Sequence, residues 1–177
     1  MRKVVLFIAA SLDGFIAREN GEIDWLIESE GGEGDNGFKE FYDSISTVIM
    51  GNSTYKHILV LSEHFPYANK EVYVFTSKSQ EINPPEFQYY SGSASKLINE
   101  LRKKDQPGDI WLVGGANLAE TFFKENLIDE LILTYIPVVL GRGISLFNEH
   151  TPEKSLNLKS VKTFNQFVTL HYDFQNK

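Results

Sequence analysis

The sequence predicts a single α/β domain over residues 1–177, with a mostly parallel central sheet that is flanked by helices and closed by an antiparallel C-terminal hairpin. Strand-like apolar segments alternate with helix-like amphipathic segments, which is the pattern of an α/β fold. Most strand-like segments are continuously apolar, as strands covered on both faces are. Of the 177 residues, 42% are hydrophobic, which is enough to bury the core of one domain.

Five apolar segments are predicted strands, and four amphipathic segments between them are predicted helices. The strands span residues 4–10, 47–50, 72–76, 110–113 and 131–139. The helices span residues 38–45, 54–61, 93–104 and 117–126. In the third helix, Leu97, Ile98 and Leu101 fall on one face, and Ser93 or Ser95 is available as the N-cap.

The last third of the chain has a different sequence pattern. Residues 156–164 and 167–174 alternate apolar and polar side chains, with Asn165 and Gln166 between them. This pattern predicts an antiparallel hairpin that closes the sheet. An acidic, glycine-rich stretch at residues 28–37 is typical of a surface loop.

Composition excludes several classes of function. The net charge of −7 repels nucleic-acid backbones, although one local site can still bind a small anion. The chain has no cysteine, so disulfides, thiolate zinc sites and a cysteine nucleophile are excluded. No apolar stretch approaches the roughly 20 residues that cross a bilayer. The basic and apolar N-terminus imitates a signal peptide, but Asp13 and Gly14 end it as a strand would turn. We therefore expect a cytoplasmic protein that binds neither nucleic acid nor membrane.

Common catalytic motifs are missing from the sequence. The four histidines show no HExxH spacing and no carboxylate partner at metal-ligand spacing, so no metal site is predicted. The chain lacks GxSxG, GxxxxGK[ST] and GxGxxG, the usual anchors of serine hydrolases, P-loops and dinucleotide-binding Rossmann folds.

Two glycines stand where a strand-like run meets a helix-like run, in the segment DIWLVGGANLAETFF at residues 109–123. A helix beginning at Asn117 would point its free N–H groups and positive dipole end toward this turn. Gly114 and Gly115 lack Cβ atoms, so a pyrophosphate could approach their backbone closely. A tight turn that packs the helix against the sheet explains the pair equally well.

Two further strand ends carry small or polar residues. Gly51 follows the second strand and precedes Asn52, Ser53 and Thr54. Hydroxyls there either cap the helix, which is the commoner role, or face a phosphate. The third strand ends in Thr76, Ser77 and Lys78, which suit either a polar loop or a ribose phosphate at the ligand-binding edge of an α/β sheet. Two glycine turns in one sheet favour a dinucleotide.

Five segments together resemble the dihydrofolate reductase fold. Within that fold the chain is most similar to the reductase domain of bacterial riboflavin biosynthesis, the RibD C-terminal domain, and to its stand-alone relatives. The similar segments are residues 4–17, 48–55, 72–78, 110–123 and 129–147, in the order of the family. Each motif alone is weak, whereas five in order span nearly the whole chain.

The resemblance implies a reductase that uses a reduced nicotinamide dinucleotide, usually NADPH. The hydride would pass to a pteridine or to a pyrimidine such as the riboflavin-pathway intermediate 5-amino-6-(5-phosphoribosylamino)uracil. It also implies a cis peptide bond between the paired glycines and a homodimer. Backbone at Ala9, Ile16 and Ala17 would contact the nicotinamide. The phosphates would lie against Gly51, Asn52, Ser53, Thr54, Gly114, Gly115, Ala116, Asn117 and Leu118, and the adenosine side would face Thr76, Ser77 and Lys78.

The substrate residues follow from the same resemblance. Asp35 matches the carboxylate that holds the heterocycle and supports its protonation, for which a buried site with a raised pKa is suited. Thr134 matches the threonine that pairs with this carboxylate, and Trp25 and Phe38 would wall the ring pocket. Asp35 also lies in the glycine-rich stretch, where a solvated side chain is the alternative.

Departures from the family pattern leave two questions open. Asn52 stands where folate reductases commonly have the arginine that grips the 2′-phosphate, so NADH is an alternative cofactor. The chain carries no deaminase domain of the riboflavin pathway, so its substrate can differ from the intermediate of that pathway. A competing interpretation is a nucleotide-binding or sensory module that keeps the cofactor cradle without turnover.

Overall fold

The structure is a computed structural model that describes residues 1–29, 35–77 and 85–175. Ten strands and five helices lie in these ranges. The strands are β1 (Val4–Ser11), β2 (Phe15–Ala17), β3 (Ile45–Gly51), β4 (Glu71–Phe75), β5 (Gln88–Tyr90), β6 (Asp109–Gly114), β7 (Glu130–Ile136), β8 (Ile144–Ser145), β9 (Leu156–Phe164) and β10 (Phe167–Phe174). The helices are α1 (Asp24–Ile27), α2 (Phe38–Ser44), α3 (Asn52–Leu61), α4 (Ala94–Lys103) and α5 (Ala116–Lys124).

Eight strands form one sheet in the order β5, β4, β3, β6, β1, β7, β10, β9. The pairs from β5 to β7 are parallel, and β10 is antiparallel to both β7 and β9. The predicted fold class is therefore confirmed. Because parallel strands point the same way, the carboxyl ends of β4, β3, β6, β1 and β7 share one edge of the sheet.

Helices cover both faces of the sheet. On one face, Leu97, Ile98 and Leu101 of α4 and Phe122 of α5 are buried against the strands. The other face carries α2 and α3, whose aromatic side chains pack against residues such as Trp111. This burial on both sides explains why the central strands are continuously apolar.

The predicted elements agree with the structure to within a few residues. The strand predicted for residues 131–139 ends at Ile136, because Pro137 has no N–H for the ladder. The helix predicted from residue 54 begins at Asn52. Periodicity missed β2, β5, β8 and α1, which have two to four residues each and are too short to show a repeat.

In the ranges that the structure describes, no helix is both long enough and apolar enough to span a membrane.

Candidate active site

The two glycine turns lie side by side at the carboxyl edge of the sheet. Met50 pairs with Gly114 where β3 adjoins β6. A Cβ atom added at Gly51 would lie 3.8 Å from both the Gly114 carbonyl oxygen and the Gly115 nitrogen. Gly114 has φ +115°, and the peptide bond between Gly114 and Gly115 is cis, as the resemblance implies. Strand order thus brings together residues that are more than sixty positions apart in the chain.

The helices that leave these turns begin without side-chain caps. The N-caps of α3 and α5 are Gly51 and Gly115, which have no side chain to accept a bond from the first turn. By contrast, the N-cap of α4 is Ser93, whose hydroxyl accepts from the backbone N–H of Lys96. Neither α3 nor α5 has an acidic residue in its first turn. Two positive dipole ends with unsatisfied N–H groups therefore converge on one place, which favours an anion there.

The space between the two turns is narrow. A Cβ atom at Gly115 would lie 3.3 Å from the Thr54 hydroxyl oxygen, which is tighter than ordinary van der Waals contact. Asn52 and Thr54 are partly buried in the first turn of α3, whereas Ser53 is exposed. In α5, Ala116 and Leu118 are partly buried and Asn117 is exposed. Because the glycines have no side chains, the backbone N–H groups between the two turns stay accessible.

The third predicted strand end continues the same edge. The backbone N–H of Thr76 donates to the Tyr90 carbonyl at 3.0 Å, so Thr76 extends the pairing of β4 with β5. Thr76 is partly buried and Ser77 is exposed. Lys78 lies outside the described residues.

On the other side of the glycine turns, small side chains form a shallow floor across three strands. Ala9 of β1 pairs with Thr134 of β7, and Thr134 pairs with Thr169 of β10. The hydroxyls of Thr134 and Thr169 are 2.8 Å apart and hydrogen-bonded, and Thr169 is buried. We call this row the ring floor. Because β1 also adjoins β6, the floor begins one strand spacing, about 5 Å, from the strand that carries Gly114.

Aromatic residues stand on both sides of the ring floor. Trp25 is 4% exposed and packs in a small cluster with Ile136 and Phe167, against which Ala9 also packs. Phe38, at the start of α2, is 36% exposed, and its ring centroid lies 5.9 Å from that of Phe7. Phe7 precedes Ala9 by two residues on β1 and so faces the same side of the sheet. Trp25 and Phe38 thus each lie near a residue of β1, Trp25 beside Ala9 and Phe38 beside Phe7.

Asp35 lies at the start of α2, where its carboxylate contacts backbone. It accepts hydrogen bonds from the N–H groups of Gly37, at 3.2 Å, and of Lys39. The side chain is exposed, so of the two environments considered from the sequence, the structure has the solvated one. The stretch that precedes Asp35, residues 30–34, lies outside the described residues.

The expected pairing of Thr134 with Asp35 stays a prediction. The Thr134 hydroxyl contacts Thr169, and no hydrogen bond joins it to Asp35 within the described ranges. The contact with Thr169 follows from register, since β10 places Thr169 directly opposite Thr134. Sequence reasoning missed Thr169 and Phe7 as residues of this site. The alternation of apolar and polar residues at 167–174 indicated a strand that contains Thr169. This pattern does not give the register of that strand against β7.

β2 follows β1 in the chain and pairs with β8 in a separate two-stranded sheet. Ile16 packs against the main core, and Ala17 is 7% exposed. A Cβ atom at Gly143 would lie 2.3 Å from the Ala17 carbonyl oxygen, so glycine is required directly before β8, where that strand pairs with β2. The Asp13 carboxylate accepts from the N–H groups of Leu140, at 3.1 Å, and Gly141, at 2.7 Å. The turn after β1 is thereby tied to the loop after β7.

A polar cavity of about 530 Å³ lies at the opposite edge of the sheet. Its lining includes Glu130, whose carboxylate contacts Lys3 at 2.8 Å, Lys159 at 2.6 Å and His171 at 2.8 Å. Burial opposes ionisation of this carboxyl, but the hydrogen bonds from Lys159, Lys3 and His171 outweigh it and lower the pKa of Glu130 to about 2. The partners saturate the carboxylate, which is the arrangement of a structural ion-pair cluster.

Comparison with known proteins agrees with this fold. An uncharacterized Bacillus subtilis protein, YwjB, is 50% identical over 171 residues, which are 97% of each chain. A Shewanella sp. PV-4 protein assigned to riboflavin biosynthesis has a structure with a TM-score of 0.86 and 28% identity, covering 99% of this chain and all of that one.

A more distant structure is that of the Thermotoga maritima diaminohydroxyphosphoribosylaminopyrimidine deaminase/5-amino-6-(5-phosphoribosylamino)uracil reductase. It has a TM-score of 0.70 and 19% identity, and the match covers 98% of this chain but 57% of the longer protein. At that identity the likeness concerns the fold. The family model of the RibD C-terminal domain matches residues 2–170. The chain therefore belongs to the RibD C-terminal domain family, a family of reductase type.

Proposed function

We propose that the chain is an NAD(P)H-dependent reductase that transfers a hydride to a small heterocycle of pyrimidine or pteridine type. The observation that supports this most strongly is the convergence of two uncapped helix N-termini on the turns at Gly51 and Gly114–Gly115. The ring floor adjoins these turns across β1. A pyrophosphate over the turns would leave the nicotinamide end of the cofactor beside Ala9.

The residues present fit a dinucleotide. Backbone N–H groups of the first turns of α3 and α5 would hold the phosphates, and Thr54 would face them from α3. Thr76 and Ser77 lie farther along the same edge, on the side proposed for the adenosine. When bound, the cofactor supplies the hydride. The protein supplies position, because β1 is the strand shared by the turns and the floor.

The ring would lie on the floor formed by Ala9, Thr134 and Thr169, between Trp25 and Phe38. Threonine hydroxyls offer both a donor and an acceptor to a heterocycle edge. Asp35 is the proposed source of the proton, delivered directly or through one water. Its local bonds to the start of α2 hold the carboxylate in one place.

The test is a titration of the purified protein with NADPH and NADH, followed by nicotinamide fluorescence. Oxidation of the bound cofactor is then measured with dihydrofolate and with 5-amino-6-(5-phosphoribosylamino)uracil. The proposal expects micromolar binding of one cofactor and turnover with a heterocycle. Binding without any oxidation would favour a nucleotide-binding or sensory module, and no binding of either cofactor would refute both.

Asp35→Asn tests the proposed proton source. We expect turnover to fall at least about a hundredfold, within the usual contribution of acid-base catalysis, while cofactor affinity changes little. The asparagine keeps an oxygen that can accept from the start of α2, so the helix is preserved. Equal losses in turnover and cofactor binding would remove Asp35 from the chemistry.

A further inference from the structure

We infer that residues 18–22, the turn between β2 and α1, form a strap across the carboxyl edge of the sheet, and that His57 of α3 holds this strap closed. Opening of the strap then sets the rate at which a ligand enters and leaves the edge. The effect on ligand exchange rests on the proposed function, whereas the hold of His57 on the strap is a property of the protein without ligand.

One tight contact joins the strap to α3. A Cβ atom added at Gly21 would lie 2.7 Å from Cε1 and 2.8 Å from Nε2 of the His57 ring, so the imidazole lies directly against the Gly21 backbone. Gly21 also has φ +89°, a conformation that disfavours residues with a side chain. Glycine is therefore needed here both for the turn and for the approach of the ring. We call this contact the latch.

The strap goes round the carboxyl edge of the sheet. Before the strap, Ile16 packs against the core on the face that carries α4 and α5. At the strap, Gly21 contacts α3, which packs on the opposite face through residues such as Ile58. The sheet is continuous from β3 through β6 to β1, so the chain passes from one face to the other where β1 ends and α3 begins. β6, which ends in Gly114, lies between these two strands in the sheet.

The strap is a compact turn with fixed ends. Within it, the N–H of Arg18 donates to the Glu22 carbonyl and the N–H of Gly21 donates to the Arg18 carbonyl, both at 2.9 Å. The chain is buried on both sides of the turn, since Ala17 is 7% exposed and Trp25 is 4% exposed. The turn can therefore move as a unit between two anchored positions.

The middle of the strap is weakly attached to the rest of the protein. None of the five side chains of residues 18–22 is buried. Its ion pairs are Arg18 with Asp24 and Glu19 with Arg142, and every partner side chain is at least 41% exposed, so these pairs contribute little. A segment with few buried contacts opens at a lower free energy than the core. The latch is thus the contact that opening has to break.

A strap of this kind controls ligand exchange at the edge that it crosses. Only molecules with an open strap admit a ligand, so the observed association rate rises with the open fraction. A bound ligand leaves by the same path, so its dissociation rate rises with the open fraction as well. His57 is therefore a positioning residue, which acts through the strap and changes both rates more than their ratio.

The first experiment needs no ligand. Because the chain has no cysteine, spin labels can be attached at Glu22→Cys on the strap and at Glu100→Cys on α4, both exposed positions. Pulsed electron paramagnetic resonance then gives the distribution of distances between the labels. We expect one main distance with His57 present and a second population in His57→Ala. His64→Ala, which removes an exposed histidine just beyond α3, should leave the distribution unchanged. An unchanged distribution in His57→Ala overturns the inference.

The second experiment measures the exchange of NADPH by stopped-flow nicotinamide fluorescence. In His57→Ala, the association and dissociation rates should both rise at least about fivefold, the effect of losing roughly 1 kcal/mol of closure, and His64→Ala should match the wild type. Unchanged rates in a protein that binds NADPH overturn the inference. A protein that binds no NADPH refutes the proposed function, and the label distances then decide the latch by themselves.

Gly21→Ala tests the latch from the side of the strap. The added Cβ atom cannot coexist with the His57 ring, so the strap should open as it does in His57→Ala. Gly141→Ala is the control, because Gly141 also has a positive φ, +74°, but has nothing within 4 Å of its Cβ position. The double variant Gly21→Ala/His57→Ala should open the strap no more than either single variant, since both remove one contact. Additive effects would show that the two residues act separately and would overturn the latch.

Discussion

Replacing Glu130 by glutamine should destabilise the protein in a way that depends on pH. The carboxylate is buried and contacts Lys3, Lys159 and His171. Its pKa lies at about 2 in the folded protein against an ordinary value of 4.5. This difference means that ionised Glu130 contributes about 3 kcal/mol to the free energy of unfolding. For a domain of this size that corresponds to a fall in Tm of about 6 to 12 °C at pH 7.

The direction of this pH dependence follows from the pH at which the folded and the unfolded protein each bind a proton at Glu130. The unfolded chain takes up a proton at Glu130 near pH 4.5, whereas the folded protein does so only near pH 2. The stabilisation is therefore complete above pH 4.5 and is lost as the pH falls from 4.5 toward 2. The difference between wild type and Glu130→Gln should shrink over that window.

Urea denaturation at pH 7, 4.5 and 3 measures this, with the fluorescence of the buried Trp25 and Trp111 as the signal. Glu149→Gln is the control, because the Glu149 side chain is 85% exposed and the same chemical change there should have little effect at any pH. A destabilisation by Glu130→Gln that is as large at pH 3 as at pH 7 would refute the reasoning, since packing and not charge would then explain it.

Three further predictions concern the helix starts and the loop beside β1. Gly115→Ala introduces a Cβ atom 3.3 Å from the Thr54 hydroxyl, so NADPH affinity in a fluorescence titration should fall at least about tenfold; an unchanged affinity would count against the cradle. Ser93→Ala removes the cap of α4 and should lower the free energy of unfolding by about 1 kcal/mol with NADPH affinity unaltered, which a urea titration and the same fluorescence assay check. Asp13→Ala removes the acceptor for the N–H groups of Leu140 and Gly141; hydrogen exchange at these two amides should accelerate, and equal protection would show that the loop holds itself.

Much of the fold could be predicted because its signals are local. Continuous apolar runs identify the buried parallel strands, and the period of α4 identifies its buried face, Leu97, Ile98 and Leu101. The position of β1 between β6 and β7 could not be read from periodicity, because the order of strands depends on pairings between distant residues.

The candidate site likewise contains residues that the sequence identifies and residues that only the structure identifies. Gly51 and the pair at Gly114 are visible in the sequence because strand, glycine and helix follow one another directly. Thr169 was missed because it reaches the floor only through the register of β10 against β7. The exposure of Asp35 likewise depends on how α2 begins. The homodimer, the cofactor contacts and the substrate contacts stay predictions.

The ring floor has a consequence for the order in which the site can form during synthesis. The glycine turns and their helices are complete once residue 124 has left the ribosome, and β7 contributes Thr134 soon afterwards. Thr169 arrives only with the last strand, so the row of Ala9, Thr134 and Thr169 stays incomplete until β10 has paired with β7. A chain truncated before β9 would also lack Lys159 and His171, two of the partners of Glu130, so the C-terminal hairpin completes the ring floor and the ion-pair cluster at the opposite edge of the sheet in one step.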